Sequence, residues 1–186
     1  MTPEPSITRA HVREQLAAMR PTSDAQASHR NAMQALLDSP GNPFSRCHFE
    51  PGHFTASALV LAPQGDAMVV IHHRKLDLWL QPGGHIEAVD TSLLAAARRE
   101  VHEETGLTRV TPLAECPVDL DVHTIPARPG EPAHQHFDVR YAFRAAARGL
   151  APSAEVKAAR WVGLAELAQN AADASVRRVA QTLAAW

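Results

Sequence analysis

The segment Arg99-Glu100-Val101-His102-Glu103-Glu104-Thr105-Gly106-Leu107 constrains this chain more than any other. Strong helix formers at Leu93–Ala97 precede it, and Gly106 is placed to end a helix in a left-handed cap, so the spacing predicts a helix over 91–105. At about 100° per residue, Glu103 and Glu104 fall within about 60° of Glu100, so three carboxylates share one face. Leu94, Ala97 and Val101 lie beside that face and can anchor the helix on a core. Just upstream, Pro82-Gly83-Gly84 breaks regular structure, and its glycines let the backbone approach a ligand closely. An ordinary tight turn would use the same residues.

The pattern on either side is strand-like. Thr55–Pro63 and Ala67–His73 are apolar runs around the turn Gln64-Gly65-Asp66, the signature of a hairpin. Leu78–Leu80 is a third extended piece, and further strands are expected near 115–124, 135–144 and 156–162. Residues 163–169 and 173–184 read as closing helices. Two amphipathic helices are expected at the start. Ile7, Val12, Leu16 and Met19 recur at helical spacing over 6–20, and Ser23 or Asp24 caps a second helix carrying Met33, Leu36 and Leu37. Strands interleaved with helices make the fold class α/β. The expected organisation is an N-terminal helical arm over 1–45, followed by a domain over 46–186. The apolar stripe of the arm has to be buried, on its own domain by default or in a homodimer contact.

Three glutamates on a helix face are ordinarily just solvated. Here they repel one another at i,i+3 and i,i+4 spacing, and they occupy the last turn, where the helix dipole disfavours negative charge. A bound cation would compensate both effects. Hard oxygen ligands with no cysteine nearby point to Mg²⁺, with Mn²⁺ as the alternative.

These residues resemble the Nudix box of the Nudix hydrolases, G-x5-E-x7-R-E-U-x-E-E-x-G-U, where U is a bulky aliphatic residue. Arg99, Glu100, Val101, Glu103, Glu104, Gly106 and Leu107 match its second half, and Trp79–Gly84 looks like the usual lead-in. One departure stands out: 14 residues separate Gly84 from Arg99, one more than the motif has, and Asp90 stands where the first acid is expected. The resemblance implies an α/β/α sandwich around a mixed sheet. It implies that Glu100, Glu103 and Glu104 bind Mg²⁺ with the Gly84 carbonyl close by. Glu103, Glu104 and Arg99 become the catalytic residues, with Arg99 holding a metal-binding glutamate in place. The implied reaction is attack of water on a diphosphate linkage, usually in a nucleoside diphosphate joined to another moiety. The alternative is a Nudix-fold sensor or scaffold that binds a nucleotide without cleaving it, but such members usually lose the glutamates present here.

Histidine is abundant, with 11 in 186 residues. On an extended strand His134, His136 and Asp138 share a face. If that strand pairs with Asp121-Val122-His123, then Asp121, His123, His134 and His136 converge, with the loop Thr124–Ala133 between them. They would form a polar sheet face, a substrate- or phosphate-binding wall that could include the general base, or a His/carboxylate metal site. Arg74 and His85 flank the box and are candidates for contacting substrate. The histidine face is expected to border the catalytic cleft. Trp79, Phe137, Tyr141 and Trp161 are the candidate platforms for a nucleotide base.

Composition narrows the classes. Lys and Arg number 18 against 20 Asp and Glu, so no basic field exists to hold nucleic acid. No apolar run reaches membrane-spanning length, and the first residues lack the apolar core of a signal peptide. Cys47 and Cys116 are too few for a disulfide scaffold and read as reduced thiols, which points to the cytoplasm.

Overall fold

The computed structural model describes residues 7–184. Thr8 caps α1 (Arg9–Ala18) by accepting the His11 N–H, and Ser23 caps α2 (Asp24–Asp38) by accepting the Gln26 N–H. Residue 6, where the first helix was expected to begin, lies outside the described residues. Val12 and Leu16 of α1 and Met33, Leu36 and Leu37 of α2 are buried. The chain itself therefore covers the apolar stripe of the arm.

The remaining elements are β1 (Gly52–Leu61), β2 (Ala67–His73), β3 (Trp79–Leu80), β4 (Gly83–His85), α3 (Leu93–Thr105) and β5 (Val110–Pro112). They continue as β6 (Asp119–Ile125), β7 (His134–Ala145), β8 (Val156–Gly163), α4 (Leu164–Asn170) and α5 (Ala174–Leu183). The strand order is β3-β2-β1-β7-β5, with β4 added to β1, β6 to β7 and β8 to β2. The expected hairpin is present: Leu61 faces Met68, and Gly65 takes the left-handed turn position at φ 78°. β7 pairs antiparallel with both β5 and β6. Against β1 it runs parallel, because Phe54 meets Phe137 and Thr55 meets Asp138, the numbers rising together. The sheet is therefore mixed, with helices flanking it. Every residue of β1 is buried, as befits a central strand. β4 and β5, at three residues each, are too short to show a hydrophobic period, and sequence patterning misses them.

Contacts gather into two compact units. The first takes its residues from 1–56, 84–96 and 115–141. Within it α2 lies along β6, where Gln26 donates to Asp119 at 2.7 Å and His29 Nδ1 donates to the Leu120 carbonyl at 2.9 Å. Its buried side chains include Leu16, Met33, Phe54, Leu120 and Phe137. The second takes its residues from 57–83, 97–114 and 142–186. Here β2 pairs with β8 over almost its full length, and α4 and α5 pack together. Met68, Ile71, Phe143, Val176 and Val179 are buried in it.

Candidate active site

In the second unit, the last turns of α3 carry the acidic cluster. Arg99 Nη1 donates to Glu100 Oε1 at 2.9 Å and to Glu103 Oε2 at 2.8 Å. One guanidinium thus ties two of the three carboxylates. Glu100 and Glu104 are buried, while the Glu103 side chain is 40 % exposed. Glu104 Oε2 accepts the Gly83 N–H at 2.9 Å. Burial pushes the Glu104 carboxyl from its ordinary 4.5 up to about 8, opposed by that hydrogen bond and reinforced by the charges of Glu100, Glu155 and Glu103. Glu155, just before β8, is a fourth carboxylate within electrostatic reach. No sequence signal marked it, because only the fold brings it to α3.

At Gly83 the structure gives the bare backbone a packing reason. A Cβ there would meet Ser57 Oγ at 2.2 Å and Ser57 Cα at 2.8 Å. The absent side chain lets this strand lie against β1, and that contact aims the Gly83 N–H at Glu104. Gly84 follows in β4. Gly106 ends α3 as expected, at φ 74°, with its N–H donating to the His102 carbonyl.

In the first unit, the extra residue of the box loop is absorbed by a turn. Asp90 is buried, its Oδ2 accepts the Glu87 N–H at 2.8 Å, and its own N–H donates to the Glu87 carbonyl.

The same unit holds the histidines. β6 and β7 pair as the hairpin that would make them converge, with His123 opposite His136 and Asp121 opposite Asp138. Their imidazoles gather: His134 and His136 have ring centres 5.2 Å apart, and those of His123 and His136 are 5.6 Å apart. His85 joins at 5.3 Å from His136. The centre of the group is a residue that sequence reading passed over. His53 lies 4.8 Å from His136, 5.0 Å from His134 and 5.1 Å from His85, and is 1 % exposed. A signal for it exists in β1, where His53, Thr55 and Ser57 alternate with Phe54, Ala56 and Ala58 and mark one face as polar. Burial lowers His53 to about 4 and His136 to about 2, helped by neighbouring imidazoles, so both rings are neutral at physiological pH.

Further along that face lies Arg140, 1 % exposed. It contacts Asp138 at 2.7 Å, Asp119 at 3.1 Å and Asp121 at 3.3 Å. Burial alone would lower its pKa, but the three carboxylates more than offset this and raise it. Asp121 also accepts from His123 Nδ1 at 3.0 Å, which orients that ring.

Other candidates are engaged elsewhere. In the second unit Arg74 donates to the carbonyls of Ala154 and Val156, holding the approach to β8. Of the four aromatic platforms, Phe137 and Tyr141 are buried in the core. Trp79 is stacked on His72 at 4.9 Å with the Arg160 guanidinium 4.1 Å over its ring, and Trp161 donates to the Arg148 carbonyl. Among the described residues no helix is long and apolar enough to cross a membrane.

Comparison with known proteins agrees with the box. Among curated proteins none matches this sequence. Solved structures do. A hydrolase of the NUDIX family from Clostridium perfringens is 26 % identical, with a TM-score of 0.54 over 70 % of this chain and 95 % of that one. The E. coli dihydroneopterin triphosphate pyrophosphohydrolase is 17 % identical with the same TM-score, covering 69 % of this chain and 92 % of that one. A C. elegans Ap4A hydrolase is also 17 % identical at 0.54, over 71 % and 95 %. The model of the NUDIX domain matches residues 51–183, which include all of the box, and the chain belongs to the Nudix family as a hydrolase acting on pyrophosphate bonds.

Proposed function

We propose that this protein is a Mg²⁺-dependent hydrolase that cleaves a diphosphate linkage in a nucleoside diphosphate derivative. The observation that carries the reading is the donor set on α3. Three glutamates crowd one helix face, and one of them is buried deeply enough to hold its proton at neutral pH. Arg99 is tied to Glu100 and Glu103, and Glu104 accepts the Gly83 N–H. Hard carboxylate oxygens in this arrangement fit Mg²⁺, with Mn²⁺ the alternative, and do not suit a soft metal. Glu100, Glu103 and Glu104 would hold the metal, and the family motif adds the carbonyl of Gly84. Bound there, the cation neutralises phosphate oxygens and lowers the pKa of a water.

The chain supplies the rest. Arg99 fixes the carboxylates so that they are not free to splay, and the Gly83 N–H anchors Glu104. His85, His123, His134 and His136 are the proposed substrate contacts. His123 fits best, since its side chain is 44 % exposed and Asp121 holds its Nδ1, leaving Nε2 for a phosphate or ribose oxygen. Residues 46–186 form the catalytic domain and 1–45 its helical arm. Free Cys47 and Cys116, the first of them exposed, suit a reducing cytoplasm.

A panel of nucleoside triphosphates, dinucleoside polyphosphates, nucleotide sugars and ADP-ribose tests the reading, with phosphate or pyrophosphate release measured in Mg²⁺. The expected result is turnover of at least one class that falls by orders of magnitude in Glu103→Gln. Turnover unchanged in that variant, or no turnover of any member, would overturn it.

A further inference from the structure

We propose that His53, His85 and His136 form a second metal site, which takes one borderline divalent cation of the Zn²⁺ type through three imidazole nitrogens. Three strands deliver the three rings: β1 brings His53, β4 brings His85 and β7 brings His136. One ring nitrogen from each lies within 4.8 Å of those of the other two. Zinc–nitrogen bonds of about 2.0–2.1 Å place tetrahedral ligands roughly 3.3 Å apart, so closing on a cation needs side-chain movement of about an ångström or so.

Convergence alone would also suit a histidine-lined sheet face. His53 separates the two. Its Nδ1 lies 3.1 Å from the His48 carbonyl, and a carbonyl oxygen only accepts, so Nδ1 carries the proton. In the neutral ring Nε2 is then a bare lone pair. That Nε2 is buried and has no hydrogen-bond partner among the described residues, and His53 is only 1 % exposed. Buried polar atoms are nearly always satisfied, and an orphaned one calls for an explanation such as an ion. A ring whose Nδ1–H is held by a backbone carbonyl and which sits among three other imidazoles has the arrangement seen around metal-bound histidine, where the outer hydrogen bond sets tautomer and ring angle. His48 in turn is held by the Gly52 carbonyl, 2.6 Å from its own Nδ1, which fixes the turn ahead of His53.

The donor chemistry selects the metal. Imidazole suits Zn²⁺, Co²⁺, Ni²⁺ and Fe²⁺, whereas Mg²⁺ prefers oxygen. The nearby Asp119, Asp121 and Asp138 are already committed to Arg140, so they do not turn the site into an oxygen cage. Three protein ligands leave one position open, the pattern of sites that bind water or a substrate oxygen rather than purely structural ones. This inference stands apart from the Mg²⁺ reading of α3, since it uses other residues and other donor atoms.

The test is a Co²⁺ titration of the metal-stripped full chain, followed in the visible ligand-field bands, with Zn²⁺ affinity read by chelator competition in millimolar Mg²⁺. The expected result is one equivalent of Co²⁺ in a four-coordinate spectrum, displaced by Zn²⁺. His85→Ala, at a half-buried position, and His136→Ala should weaken Zn²⁺ at least about 100-fold while circular dichroism confirms the fold. Glu103→Gln/Glu104→Gln and Cys47→Ser should bind as the wild type does. No stoichiometric Co²⁺ binding, binding retained in both histidine variants, or binding lost in the glutamate or cysteine variants would overturn the proposal. The last outcomes would place the metal at α3 or at the exposed thiol.

Discussion

Replacing Glu104 by glutamine should stabilise the protein in the absence of metal while abolishing its turnover. The carboxyl is raised by burial from 4.5 to about 8 in the folded chain, so between those values the folded state binds more protons than the unfolded one. Stability contributed by this group is therefore full below pH 4.5 and is lost progressively as pH rises toward about 8. The slope is at most about 1.4 kcal/mol per pH unit, which accumulates to roughly 3 kcal/mol by pH 7. Glutamine has no charge to bury, and its amide oxygen can still accept the Gly83 N–H that lies 2.9 Å from Glu104. Repulsion from Glu100 and Glu103 also disappears. Urea denaturation in chelator at pH 5, 7 and 8.5 reads the effect directly. Wild type should lose stability across that range, the variant should stay nearly flat, and the gap should widen with pH. Parallel curves, or a variant less stable than wild type at pH 8.5, would refute the reasoning. Hydrolysis by the variant should meanwhile fall by orders of magnitude, because a neutral amide is a poor ligand for a hard cation.

Millimolar Mg²⁺ or Mn²⁺ should raise the melting temperature of the wild type through binding to the native state alone, and should do so far less in Glu104→Gln; scanning fluorimetry with and without chelator reads this. Arg140→Met leaves Asp119, Asp121 and Asp138 buried without their shared cation, so it should cost about 3–5 kcal/mol of unfolding free energy in a denaturant titration. Gly83→Ala drives a Cβ to within 2.2 Å of Ser57 Oγ and should lower turnover with a modest loss of stability, as β4 shifts away from β1 and the Gly83–Glu104 bond breaks. Removing residues 1–40 strips Met33, Leu36 and Leu37 from the core and uncaps Asp119 from Gln26; a chain that kept its full melting temperature would show that the arm is not part of the folded unit.

What the sequence alone determined was whatever depends on short spacing. Glu100, Glu103 and Glu104 come to one face because a helix puts residues three and four apart together; Arg99 reaches Glu103 for the same reason and Glu100 as its chain neighbour. The cap at Gly106 and the hairpin at Gly65 are equally local and legible, and so is the possibility of a hairpin bringing His123 toward His134 and His136, whose register only the fold supplies. Tertiary structure decided the rest. His53 enters the histidine group only because β1 runs parallel to β7, a register that no nearby residues encode. That Gly83 has no room for a side chain beside Ser57 appears only once β4 lies on β1. The three aspartates around Arg140 come from two strands and look in sequence like scattered surface charge. Spacing can list three carboxylates, but only burial tells which of them resists ionising, because the cost of a charge depends on the water that the fold removes from around it.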